Sequence, residues 1–279
     1  MPDPTILNLE ENEAKFFKLL TGIQSDEELR KHIINIQEKA YKAFAFTRLK
    51  ILLQPSYGQV LELHKSRPRA ILLDIGCCFR NDLRKAVVDG WPAENAIASD
   101  LRPEFWDYSH ELFKSTPETF PATFIPGDSF SSALIEPRAP FYFEPQTSLP
   151  TDLRTLKSLT PLQGHISAIH ASSLFHLFSE EQQLALAKQL ATLLSPQPGS
   201  VIFGSHGGRL AKGFRTEVIN SRGSHMFCHS PESWADLWDG QVFKKGSIRV
   251  EARLVEHDPK KTDKLGIIIH WLVWSVTRL

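Results

Sequence analysis

The chain has 279 residues, 42% of them hydrophobic, enough to bury a sizeable core in one large domain or two small ones. Lysine plus arginine equals aspartate plus glutamate at 32 each, so no net field attracts nucleic acid or an anionic membrane, and a small molecule is the expected partner. Three cysteines, two of them adjacent, form no disulfide framework; with an acidic N-terminal stretch and no apolar run near the roughly 18 residues that cross a bilayer, they point to the cytoplasm.

In chain order, residues 11–63 repeat apolar side chains at three- and four-residue spacings (Phe16, Leu19 and Leu20; Leu29, Ile33 and Ile36), which predicts three or four helices broken near Gly22 and Pro55. From Arg69 the texture changes to short apolar runs alternating with amphipathic stretches. Strands are expected at 70–75, 96–99, 123–125, 166–170 and 200–204, with helices at 81–89, 103–114 and 180–194 between them. Two longer strands, 249–255 and 266–276, are joined by about ten polar residues and should form an antiparallel terminal pair at the sheet edge. The fold expected is α/β, a Rossmann-like sheet of five parallel strands plus an antiparallel C-terminal pair. Residues 1–66 would be a helical cap and dimerisation segment, and 67–279 the cofactor-binding domain. Between 130 and 164 several prolines surround Phe141, Tyr142 and Phe143; the segment reads either as a lid or substrate wall or as surface padding.

In such sheets ligands collect at the carboxyl ends of the strands. The first strand ends at Asp74 and Gly76, where a missing Cβ lets the backbone approach a ligand, and Cys77 follows. The second ends at Asp100, twenty-six positions on, near the roughly 20 expected of a ribose-binding carboxylate. Leu101 would then face an adenine, and Asp128 with Ser129 ends the third strand. Any one of these acids alone reads equally well as a solvated strand end; three in succession make a site. The fourth strand ends in His170 and Ala171 and leads to His176, placed to orient an acceptor or act as a base, or else satisfied locally at a helix start. His206, after the fifth strand, carries the same two readings. No metal site is expected, because the His225 to His229 cluster lacks a second set of ligands, and Cys77 and Cys78 lack redox spacing.

The stretches Leu73-Asp-Ile-Gly-Cys-Cys-Phe79, Asp82-Leu-Arg-Lys85, Ile169-His-Ala-Ser-Ser-Leu-Phe-His-Leu-Phe178, Pro198-Gly-Ser-Val-Ile-Phe-Gly204 and His229-Ser-Pro-Glu-Ser-Trp234 resemble the fungal secondary-metabolite methyltransferases of meroterpenoid and polyketide pathways. The resemblance implies a homodimeric class I fold that uses S-adenosyl-L-methionine to methylate an oxygen of an apolar acid or alcohol, often a carboxylate. It places cofactor contacts at Asp100 and Leu101 and at Asp128 and Ser129, beside Asp74 and Gly76; the strand ends themselves add Cys77, His170 and Ala171 as candidate cofactor contacts and His176 and His206 as candidate acceptor-orienting groups. After Phe79 the family shows glycine and glutamine where this chain has Arg80 and Asn81. A guanidinium beside a sulfonium would repel it, which keeps two alternatives open: a non-methylating cyclisation or isomerisation on the same fold, or an inactive partner subunit.

Overall fold

The computed structural model describes residues 7–40, 45–219, 225–256 and 269–279. Three helices come first: α1 (Glu11–Thr21), α2 (Asp26–Ala40) and α3 (Tyr57–Ser66). α1 opens with a reciprocal cap between Glu10 and Glu13 and stops at Gly22, whose left-handed backbone lets its N–H reach the Lys18 carbonyl. Phe16 and Phe17 of α1, with Leu29, Ile33 and Ile36 of α2, pack onto α5 (Glu104–Phe113) through Phe105, Leu112 and Phe113. Phe17 and Phe113 lie stacked, ring centroids 5.3 Å apart. The α2–α5 seam is closed by a hydrogen bond between the His32 ring and the Leu112 carbonyl.

The central sheet is formed by β1 (Leu72–Ile75), β2 (Ala96–Ser99), β3 (Thr123–Phe124), β4 (Ala168–His170), β5 (Val201–Gly208), β8 (Ile248–Glu256) and β9 (His270–Arg278). Its order is β3-β2-β1-β4-β5-β9-β8. The first five strands are parallel, and β9 runs antiparallel to both β5 and β8. Helices α4 (Asn81–Val88), α5 and α6 (Glu180–Leu193) make the crossovers expected between parallel strands. Strands β1 and β2 are buried along their whole length, as the continuous apolar runs foretold.

Some expectations are corrected and one holds: the terminal antiparallel pair lies at one edge of the sheet, with β8 outermost and the last strand, β9, between it and β5. The expected start of that strand at 266 and most of the polar connection before it lie outside the described residues. β5 does not stop at Gly204 but continues through Ser205, His206, Gly207 and Gly208, because β9 pairs with it as far as Gly208 opposite His270. A second antiparallel pair, β6 (Gly213–Ile219) with β7 (His225–Cys228), and helix α7 (Pro231–Trp238) were not expected. Proline at the first turn of α7 and the Ser230–Ser233 cap were the readable signals for that helix.

The aromatic triplet is not a lid. Phe141 packs against Gly164, Arg278 at the end of β9 donates to the Phe141 carbonyl, and the Tyr142 hydroxyl accepts from the Lys244 N–H at 2.7 Å. These anchors lie at the amino end of the parallel strands, the opposite end from the strand-end acids. Phe143 is left exposed.

Candidate functional site

The turn after β1 is strapped to the end of β2. Gly76 sits at φ 68, a left-handed conformation that costs glycine little, and the N–H groups of Gly76 and Cys77 both donate to the Ser99 carbonyl. The Cys78 N–H and the Arg102 N–H each donate to the Asp100 carboxylate, at 2.9 and 3.0 Å. Burial pushes Asp100 above the usual carboxylate range, against the pull of these N–H groups. The Gly127 N–H reaches the Asp100 carbonyl at 2.9 Å, bringing Asp128 and Ser129 beside Asp100 and Leu101. Leu101 and Asp128 are exposed on this rim, as groups that meet an incoming ring should be.

Deeper in, Asp74 and His170 form a buried pair, Oδ1 to Nδ1 2.8 Å, and His170 Nε2 lies 2.8 Å from Ser172 Oγ. The Ser205 N–H donates to that same hydroxyl oxygen at 3.1 Å. Burial alone would pull His170 down, but the hydrogen bond and charge of Asp74, with the charge of Asp82, outweigh it and leave His170 above its ordinary value. Asp82, on the first turn of α4, accepts the Ile51 N–H at 2.8 Å and is itself raised by burial, with His170 and Lys50 opposing. Phe46, Arg48 and Lys50, from the segment after α2, close the space above these groups. The cavity they enclose is about 30 Å³, lined also by Gly76, Cys77, Cys78, Asn81 and Ser172, and has room for one or two waters.

Thus Asp74, Gly76, Cys77 and His170 share one cavity, while Asp100, Leu101, Asp128 and Ser129 form its neighbouring rim. Ala171 is wholly buried behind them. Sequence reasoning missed Lys50, Asp82, Asn81 and Ser172. Asp82 and Asn81 were readable as polar residues opening the helix after the glycine turn; Lys50 had no local signal, since the N-terminal segment reaches the cleft only through tertiary packing. Burial pushes Cys77 well up and Cys78 to about 12, so both stay thiols and pack the loop.

Arg80 does not enter the cleft. Its side chain turns to α5, where the guanidinium lies 3.4 Å from the centre of the Trp106 ring and donates to Ser109 Oγ and the Trp106 carbonyl. Its backbone, at φ 61, is left-handed, which accounts for the glycine that the family shows at this position. His176 is half-buried and its Nδ1 accepts the Gly207 N–H at 2.9 Å, so Nε2 carries the proton. Burial first, then the charges of Lys50 and Arg215, lower it to about 4, and it is neutral at pH 7. It is a donor there, not a base. His206 is fully buried, its Nδ1 accepting from the Trp274 indole at 3.0 Å, with Trp234 packed 4.6 Å away. It belongs to the aromatic core of β5, β9 and α7, which seals it from any acceptor in this conformation.

A β3-β2-β1-β4-β5-β9-β8 sheet, its last two strands antiparallel, with acids at the ends of its first three strands, is the class I methyltransferase fold. Among solved structures, the 1,6-didemethyltoxoflavin-N1-methyltransferase of Burkholderia thailandensis, which has bound 1,6-didemethyltoxoflavin and S-adenosylhomocysteine, aligns over 99% of this chain and 93% of that one with a TM-score of 0.52 at 13% identity. Residues 3–47 match the family described as meroterpenoid methyltransferase N-terminal domain. The chain is also similar to curated fungal methyltransferases. It is 31% identical to the O-methyltransferase phiE of a fungal species over 78% of this chain and 64% of that protein. It is 30% identical to the O-methyltransferase atr3 of Stereocaulon alpinum, over 90% and 66%. It is 29% identical to the asnovolin E/chermesin D methyltransferase nvfJ of Aspergillus novofumigatus, over 90% and 83%. The chain thus spans just under two thirds of the length of the first two relatives.

Proposed function

We propose that the protein binds S-adenosyl-L-methionine in this cleft and methylates an oxygen of an apolar small molecule, a carboxylate in preference to a hydroxyl, in fungal secondary metabolism. The observation that carries the reading is the succession of Asp74, Asp100 and Asp128 at three adjacent strand ends, Asp74 lining a polar cavity and Asp100 and Asp128 on the rim beside it. The residues suit the cofactor. Asn81 Oδ1 is buried without a hydrogen-bond partner and lines the cavity, an acceptor for an ammonium beside Asp74. Arg48 and Lys50 offer positive charge to a carboxylate, and Asp100 keeps lone pairs for ribose hydroxyls. Leu174 rests over Gly76, where a Cβ would lie 2.9 Å from its Cδ1, so this flexible side chain is what swings aside on binding. When bound, the cofactor supplies an activated methyl group that passes to the acceptor oxygen and leaves S-adenosylhomocysteine.

A carboxylate acceptor is already ionised at neutral pH and needs no base. The chain's task is to hold it in line and exclude water. His176 Nε2–H, with the charges of Lys50 and Arg215 close enough to depress its pKa, provides a donor in a positive field, which suits an acid better than an alcohol. With Arg80 turned away from the cleft, its charge no longer argues for a non-methylating role. The proposal includes a cap at 1–66 over a catalytic domain at 67–279, and a homodimeric cytoplasmic enzyme without nucleic-acid or membrane partners. Among the described residues no helix is long and apolar enough to cross a membrane.

Calorimetry with S-adenosylhomocysteine should show saturable binding, and incubation with S-adenosyl-L-methionine and a panel of prenylated or polyketide acids should yield an alkali-labile methyl ester. No binding by the folded protein would sink the cofactor assignment. Methylation of alcohols alone would sink the carboxylate preference. Light scattering in which the protein stays monomeric would remove the dimer.

A further inference from the structure

A second pocket, of about 330 Å³, opens toward the opposite end of α4 from the cofactor cleft and shares no lining residue with it. It lies between α1, the last turn of α4 and the segment from α5 to β3, at the amino end of the strands. Leu20, Val87, Val88, Phe113 and Phe120 make it apolar, and its size falls within the range of small-molecule sites. Arg84, 2% exposed, lines it.

Arg84 is an unusual wall. Its guanidinium lies 4.5 Å from the Phe113 ring centre and 4.0 Å from that of Phe120, its Nη2 donates to Ser115 Oγ at 2.6 Å, and its Nε is buried without a partner. Two neighbours share this condition: Arg80 Nη1 and His110 Nε2 are also buried and unpaired. None of the residues lining the pocket is acidic, and Lys114 adds a further positive charge to the wall. Buried guanidinium groups are ordinarily paired, because desolvation without a counter-charge is costly. Burial, followed by repulsion from Arg80, works against the charge of Arg84.

We infer that this pocket is a binding site for a small organic acid, its carboxylate on Arg84 and its apolar or aromatic body between Phe113, Phe120 and Val87. Inorganic phosphate is a poor occupant, since the apolar walls offer nothing to replace its hydration. Any acid held here sits apart from the methylation site, as a ligand and not as the acceptor.

The test is calorimetric titration of the full chain, saturated with S-adenosylhomocysteine to block the cleft, with 3-phenylpropionate, 3-phenylpropanamide and inorganic phosphate. The acid should bind saturably, with the amide and phosphate weaker by about tenfold or more. Arg84→Met should retain the fold, checked by circular dichroism and by its S-adenosylhomocysteine affinity, and lose the acid. A second variant, Val87→Trp, fills the pocket from the helix side and should also abolish binding. Equal affinity for acid and amide, undiminished acid binding in Arg84→Met, or displacement of the acid by S-adenosylhomocysteine would each overturn the assignment. So would a shift of oligomeric state in Arg84→Met with no acid binding to the parent protein, which would make the pocket an interface between copies.

Discussion

At the scale of single residues, the cleft depends on side chains that hold one another. His170 is fastened by Asp74 on one nitrogen and faces Ser172 on the other, so it fixes the carboxylate proposed to meet the cofactor's ammonium. Its folded pKa lies above the ordinary value of 6.5, so its protonation stabilises the fold fully below pH 6.5, and the contribution is lost as pH rises through the folded value. Denaturation series on the parent and His170→Gln should therefore differ most below pH 6.5, and the gap should narrow as pH rises through the folded value. A gap that widens with pH would show that His170 is neutral in the fold. Arg80 carries the opposite lesson. Replacing it by glycine relieves a left-handed backbone worth about 1–2 kcal/mol but empties the space of a fully buried side chain and removes its indole stack and its bonds to Ser109 and Trp106, so the fold should lose about 1–3 kcal/mol on balance. Affinity for S-adenosylhomocysteine should stay within about twofold, since no cleft contact is lost. A tenfold change by calorimetry would put Arg80 back into the site.

At the scale of elements, the approach of β4 to β5 sets the floor of the cleft. A Cβ on Gly204 would lie 2.3 Å from the Ala171 carbonyl oxygen, a backbone atom with no room to yield. Gly204→Ala should cost about 3 kcal/mol or more by overpacking, read as a lower unfolding midpoint, and should displace His170 and Ser172 enough to weaken cofactor binding. Parent-like melting would mean the strands separate more easily than their pairing suggests. The β5 extension is the element the local pattern concealed. Ser205 to Gly208 reads as a polar, glycine-rich loop, yet strand β9 supplies Leu272 and Trp274 to complete a buried ladder there. That pairing is why His206 lies in an aromatic core while His176, on the short turn after β4, is only half-buried and bonds the Gly207 N–H.

For the whole molecule, the cavity joins two parts of the chain: Phe46, Arg48 and Lys50 from the N-terminal segment, and Asp74, Asp82 and His170 from the sheet and α4. A ligand bound there ties the cap to the sheet. S-adenosylhomocysteine at a hundred times its dissociation constant should add about 2.7 kcal/mol to global stability. Hydrogen exchange should then slow together in residues 45–56 and 74–82; slowing confined to 74–82 would separate the cap from cofactor binding.

The five parallel strands with their antiparallel terminal pair and the three strand-end acids were legible because they rest on local chemistry: apolar runs make buried strands, a glycine marks the turn, and a carboxylate ends each run. The helices α1, α4, α5 and α6 were legible for the same reason, from the spacing of their apolar residues. What lay beyond reach depends on contacts far apart in sequence. Lys50 enters the cleft, Arg80 leaves it and His206 is sealed only because α1 and α2 pack on α5 and β9 slides between β5 and β8. The sequence by itself determined the alternation of strands and helices and hence the class of cofactor cleft. The tertiary structure decided which charged side chains face that cleft and which are buried against aromatic rings, because burial and pairing are properties of packed surfaces and not of neighbouring residues.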